Sequence, residues 1–311
     1  MNATAPDSTR STQILPNFLI IGAAKAGTTS LYDYLSQHPQ VFMSPLKEPK
    51  YFALEGEPLN FQGPSQIINH TSVNSLAEYC QLFSGVRQEQ AIGEASPLYL
   101  FSEQAARRIR QRLPQVKLIA ILRNPVDRAF SSYSHLLREG FETLEFEAAL
   151  DAEPERIRQR WAPLWYYQAK GFYARQLSPY FEEFPPEQIK IYLFEDFCQD
   201  TLGVVQEIYQ FIGVDPRFEP QFLRRNVSGI PKNKALHRLL TQDNWLKSLL
   251  KGMLPVEFAQ TLALHLKNHN LGEKVALRPE TRRRLQRLYR EDIQQLEVLI
   301  GRDLSPWLQE D

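Results

Sequence analysis

The chain has 311 residues, 43% of them hydrophobic, which suffices for one large core and leaves no seam that demands a second. Lysine plus arginine equal aspartate plus glutamate at 36 each, so overall charge excludes a field that would gather nucleic acid or an anionic membrane. The two cysteines, Cys80 and Cys198, are too few for a disulfide framework and poor material for a metal site, which fits a reducing cytoplasm.

Residues 1–16 are expected to form a disordered tail, because Met1–Thr12 is rich in Ser, Thr, Ala and Asn and has no apolar core for a signal peptide or membrane anchor. One domain is expected over 17–311. Its first elements are the apolar run Phe18–Ile21, ending at Gly22, and then Leu31, Tyr34 and Leu35 at helical spacing within 28–37, hence strand, loop, helix. Lys117–Leu122 reads as a second buried strand, and Pro125 opens a helix running to about Glu139. A third strand over Ile189–Phe194 follows a helix over Phe172–Phe184 and precedes another near Leu202–Ile212. Residues 215–234, with Pro216, Pro220, Gly229 and Pro231, read as a long loop, and Leu236–Leu266 and Pro279–Ile300 as helices. The alternation predicts an α/β fold, a P-loop-like single domain whose central parallel sheet is flanked by helices on both faces.

Gly22-Ala23-Ala24-Lys25-Ala26-Gly27-Thr28-Thr29 lies between the first strand and its helix, where backbone N–H groups and the positive helix end converge on one spot suited to a phosphate. Thr28 stands where a nucleotide hydrolase carries its lysine, and the loop's own lysine is Lys25. Lys25 has the reach to neutralise a bridging oxygen, while Thr28 and Thr29 offer hydroxyls to non-bridging ones. The bland alternative is a tight connection in which Thr28 merely caps the helix. Farther along, Arg123 ends a buried strand and Ser131 lies two turns into the next helix, a guanidinium and a hydroxyl at the sheet edge where ligands of open α/β folds collect. Its alternative is a helix-start ion pair between Arg123 and Asp127.

The residues from Phe18 to Tyr32 resemble the 5′-phosphosulfate loop of sulfotransferases that use 3′-phosphoadenosine 5′-phosphosulfate (PAPS), and those from Lys117 to Tyr133 resemble the 3′-phosphate strand and helix of the same family. The resemblance implies that Lys25, Ala26, Gly27, Thr28, Thr29 and Ser30 hold the 5′-phosphosulfate and that Arg123 and Ser131 hold the 3′-phosphate. A looser match over Asn226–Lys234 implies that Ser228, Gly229 and Lys232 belong to a loop closing over the nucleotide. The implied donor is PAPS, the implied product adenosine 3′,5′-bisphosphate, and no metal is required.

Three residues compete to remove the acceptor proton. Glu48, between Lys47 and Lys50, is either a solvated loop charge or an ionised base, and Leu46-Lys-Glu-Pro-Lys-Tyr-Phe resembles the segment carrying the base glutamate in heparan sulfate N- and 3-O-sulfotransferases, which favours Glu48. Glu94 resembles the glutamate of a Glu-Lys-Ser segment of that branch, but Ala95 replaces the lysine. His135 falls four residues after Ser131 on one helix face, either as a packing residue or as a partner of Lys25 in stabilising charge. Trp161, Trp165, Tyr166 and Tyr167 precede a Gly-x-Tyr helix start resembling the family's, and Tyr173 is the candidate among these aromatics for nucleotide or acceptor contact, against the reading that they are core. His265 and His269 have ligand spacing but no third partner, and the helix around Trp245 mixes apolar and basic residues as a packed helix, a lid or a membrane-surface helix would.

The sequence therefore predicts in-line transfer of a sulfuryl group from PAPS to a hydroxyl or amine, the acceptor being a glycan or other alcohol, with a carboxylate as general base. Its rivals are a P-loop small-molecule kinase and a non-catalytic nucleotide-binding module.

Overall fold

The computed structural model describes residues 13–222 and 276–309. Five parallel strands form one sheet, β1 Phe18–Gly22, β2 Val41–Met43, β3 Ala91–Ala95, β4 Lys117–Leu122 and β5 Ile189–Leu193, in the order β2-β3-β1-β4-β5. β1 is central, with Leu19 opposite Glu94 on one side and Leu118 on the other. Phe18, Leu19, Ile20 and Ile21 are fully buried, as are Leu118 to Leu122. Successive strand side chains point to opposite faces, so both faces of the sheet are covered.

The covering helices fall into two groups. α1 (Thr28–Leu35) packs against α5 (Thr201–Ile212). In the other group α4 (Tyr173–Glu183) packs on both α2 (Ala105–Arg112) and α6 (Pro279–Ile300), and α6 reaches α3 (Pro125–Glu139). The start of α3 illustrates how local chemistry sets these elements. Asn124 Oδ1 accepts from Val126 N at 3.0 Å, Pro125 takes the first turn, and Gly140 ends the helix in the left-handed region.

The strands and helices read from sequence at 18–22, 117–122, 125–139, 189–193, 201–212 and 279–300 are present, with ends shifted by a residue or two in places. β2 and β3 were not foreseen. β2 has only three residues, and β3, Ala91-Ile-Gly-Glu-Ala, is poor strand material. Gly93 is required because a Cβ there would sit 2.2 Å from the Phe18 ring. The readings placed on residues 223–275, including Ser228, Gly229, Lys232, His265, His269 and Trp245, lie outside the described residues. Among the described residues no helix is long and apolar enough to cross a membrane, none cluster as a metal site, and Cys80 and Cys198 are free thiols.

Gly93→Ala is expected to destabilise the sheet by about 1–3 kcal/mol through overpacking against Phe18, read as a lower midpoint in urea.

Candidate active site

The chain leaves β1 towards β3 through β2 on one side, and returns to β4 on the other, so the carboxyl end of β1 is the switch point of the sheet. The loop after Gly22 occupies it. Gly22 must be glycine because a Cβ would meet Leu100 at 2.6 Å, and Gly27 has φ 89°, with Phe197 only 3.1 Å from where a Cβ would stand. Gly27 is itself the N-cap of α1, and no side chain caps it. The reading of Thr28 as a mere cap is thereby set aside, and the first-turn N–H groups stay available to an anion. Ala26 and Thr28 are buried, Thr29 exposed and Ser30 half-buried.

Lys25 lies inside this loop at φ 69°. Burial, with Arg138 and Arg123 nearby, lowers its pKa to about 8, although Glu48 opposes the shift. Arg123, at the end of β4, donates from Nη1 to the Lys25 carbonyl at 3.2 Å and lies 4.7 Å above the Phe194 ring. The two sequence motifs, 98 residues apart, thus meet at one hydrogen bond. Asp127 pairs instead with Arg282, at 2.8 Å, which overturns the alternative of an Arg123–Asp127 bridge. Ser131 and His135 follow on α3, both half-buried, and His135 Nδ1 is 3.0 Å from Arg138 Nη2.

Glu48 enters from the segment after β2. Its N–H donates to the Ala95 carbonyl at 3.0 Å, which fixes the segment across the end of β3. Its carboxylate takes a bond from Lys47 Nζ at 2.8 Å and keeps 37% of its surface exposed. Burial acts to raise its pKa, but Lys47, Lys50 and Lys170 outweigh it and hold the carboxyl below the usual range, ionised and open to a proton. Glu48 and Lys50 have φ 62° and 61°, as Lys25 has a positive φ, and such strain gathers at functional sites.

Two candidates take other roles. Glu94 has no exposure and is bonded by Tyr79 and Ser96, so it has no surface to offer an acceptor; burial raises its pKa to about 7. Tyr173 is also fully buried, and its hydroxyl donates to the Arg123 carbonyl at 2.9 Å, so it supports Arg123 from beneath instead of presenting its ring. Trp165 and Tyr167 are likewise core.

Sequence reasoning missed Lys170, whose pKa is lowered to about 7 by burial and Arg128 against the pull of Glu48, and whose ammonium stands 5.8 Å from the Phe101 ring. Its only sequence signal was position next to Gly171. Phe101 and Ala169 also line an apolar cavity of about 650 Å³ beside the site.

The sequence model of the sulfotransferase family matches residues 16–220. The chain belongs to the sulfotransferase family. A sulfotransferase crystal structure from Alicyclobacillus acidocaldarius superposes with a TM-score of 0.77 at 37% identity, covering 95% of this chain and all of that one. The human bifunctional heparan sulfate N-deacetylase/N-sulfotransferase 3 is 31% identical over 207 residues, 66% of this chain and 23% of the relative. Mouse heparan sulfate glucosamine 3-O-sulfotransferase 3A1 is 28% identical over 205 residues, 64% of this chain and 46% of that protein. The chain therefore spans less than half the length of these curated members of the family.

With Lys25 at about 8, anion affinity has a defined pH course. The ammonium form binds phosphate, so affinity for adenosine 3′,5′-bisphosphate is expected to fall by up to about tenfold per unit as pH rises above 8, measured by titration calorimetry.

Proposed function

We propose that the chain transfers the sulfuryl group of PAPS in line to a hydroxyl or amine, with Glu48 as general base. The observation that carries this reading is the Arg123–Lys25 hydrogen bond, which joins two anion-binding loops beside an ionised carboxylate. Lys25, the α1 N-terminus and the Thr28–Ser30 hydroxyls are suited to the 5′-phosphosulfate, and Arg123 with Ser131 to the 3′-phosphate. Two phosphate sites fit a nucleotide phosphorylated at both ends.

In the reaction the acceptor oxygen or nitrogen forms a bond to sulfur as the bond from sulfur to the bridging phosphate oxygen breaks. The acceptor proton passes to Glu48, and adenosine 3′,5′-bisphosphate departs with the new negative charge on its 5′-phosphate. Lys25 compensates that charge, with His135 and Arg138 behind it. The enzyme's contribution is positioning and charge compensation, as in phosphoryl transfer. A saccharide is the acceptor class we favour, because the relatives named above act on heparan sulfate, and the cytoplasm the compartment.

The nucleotide assignment is tested by titrating adenosine 3′,5′-bisphosphate against ATP with magnesium; tighter binding of ATP would overturn it. Arg123→Ala is expected to weaken bisphosphate binding about 10- to 100-fold, the value of one or two charge-assisted hydrogen bonds. Glu48→Gln is expected to leave that binding intact and to lower transfer of labelled sulfate to a panel of oligosaccharides, alcohols and amines about 10²- to 10⁴-fold. Normal turnover by Glu48→Gln would remove Glu48 from the role of base.

A further inference from the structure

Glu48, Pro49 and Lys50 form the segment that carries the base, and two of them have left-handed backbone angles that side chains other than glycine avoid. Pro49 has no N–H, so the segment owns two backbone donors, and both are spent on the end of β3. Glu48 N donates to the Ala95 carbonyl at 3.0 Å. Lys50 N donates to the Ser96 hydroxyl at 2.9 Å, and Ser96 in turn donates to Glu94 Oε2 at 2.8 Å. Glu94 Oε1 accepts from Tyr79 at 3.2 Å. Lys50 closes the circuit by donating from Nζ to the Glu48 carbonyl at 2.6 Å.

Tyr79, Glu94 and Ser96 are all fully buried. A hydroxyl with no exposure that both donates and accepts has one orientation, so it fixes Lys50 N and hence the turn in which Glu48 stands. Glu94, on the core side of this chain of bonds, reaches the acceptor only through Ser96 and the backbone.

We propose that Ser96, oriented by Glu94, is a positioning residue for catalysis that holds the Glu48 carboxylate at the distance proton abstraction requires. The proposal rests on Glu48 being the base. Loss of the Ser96 hydroxyl leaves Lys50 N–H without its partner and frees the segment to leave its left-handed angles. A displacement of about 1 Å at a reacting group is enough to cost on the order of 100-fold in rate. The donor loops hang from β1 and β4, and Ser96 bonds β1 through its backbone N–H to the Ile20 carbonyl at 3.0 Å, a bond that Ser96→Ala keeps, so nucleotide binding does not pass through the Ser96 hydroxyl.

The test compares steady-state transfer from labelled PAPS by Ser96→Ala, Glu94→Gln and Glu48→Gln, with bisphosphate affinity and thermal midpoint for each. Ser96→Ala is expected to lower kcat about 10- to 100-fold while KM for PAPS and bisphosphate affinity stay within about twofold. Glu94→Gln keeps an oxygen for the Ser96 hydroxyl, so its kcat falls by less than that of Ser96→Ala. A base role for Glu94 demands the reverse order, with Glu94→Gln losing about 10²- to 10⁴-fold. The proposal is overturned if Ser96→Ala turns over within twofold of the unchanged protein, if its KM for PAPS rises in step with the loss, or if Glu94→Gln is the more damaged variant. Its failure is separable from failure of the base assignment. A Glu48→Gln protein that keeps full turnover removes the base, whereas an inactive Glu48→Gln beside a fully active Ser96→Ala removes only the positioning role.

Discussion

The site depends on the pairing of β1 with a strand on each side. Phe18 is in register with Gly93 and with Lys117, and the three strands end at the same edge. From that edge rise the Lys25 loop, Arg123 and, by way of Ala95 and Ser96, the Glu48 segment. Groups that must cooperate come from distant positions, Lys25 and Arg123 being 98 residues apart in sequence, and a buried sheet with both faces covered is what gives them fixed separations.

Charge at this edge runs against the composition of the whole. The chain is neutral, yet Arg123, Arg138 and Lys47 act on Lys25, and Lys47, Lys50 and Lys170 act on Glu48, the carboxylate that opposes them at Lys25. Burial first, and then repulsion from neighbouring cations, lowers the pKa of Lys25 and of Lys170. An anionic ligand would offset the repulsive part of that shift, which comes from Arg138, Arg123 and Lys47 at Lys25 and from Arg128 and Lys50 at Lys170.

What was legible in the sequence follows the same physics. β1 is an unbroken apolar run, β4 is one after Lys117 and β5 is interrupted only at Lys190, while α3 and α6 open on a proline and close on a glycine, so periodicity and caps sufficed. The pairing of the two phosphate motifs came from resemblance, and the Arg123–Lys25 contact gives it a physical form. β3 was hidden because its strand formers are few: Gly93 yields to Phe18, and Glu94 puts a carboxyl in the core. The demotion of Glu94 and Tyr173 to supports was hidden for another reason. Both are polar residues near motifs, and only burial separates a group that touches ligand from one that holds its neighbour. Lys170 carried no motif, and its proximity to Glu48 is a product of tertiary folding alone.

Lys25, Glu48 and Lys50 hold backbone angles at which glycine is the comfortable residue. Each costs about 1–2 kcal/mol of conformational strain, and none contributes to the core that offsets it. A library screened for heat resistance would therefore drift towards glycine at these three places and, on the roles proposed for Lys25 and Glu48, accumulate well-folded proteins that no longer transfer. The same bias hands the engineer a diagnostic: positions where thermal tolerance and turnover move in opposite directions trace the working edge of the sheet without any substrate in hand.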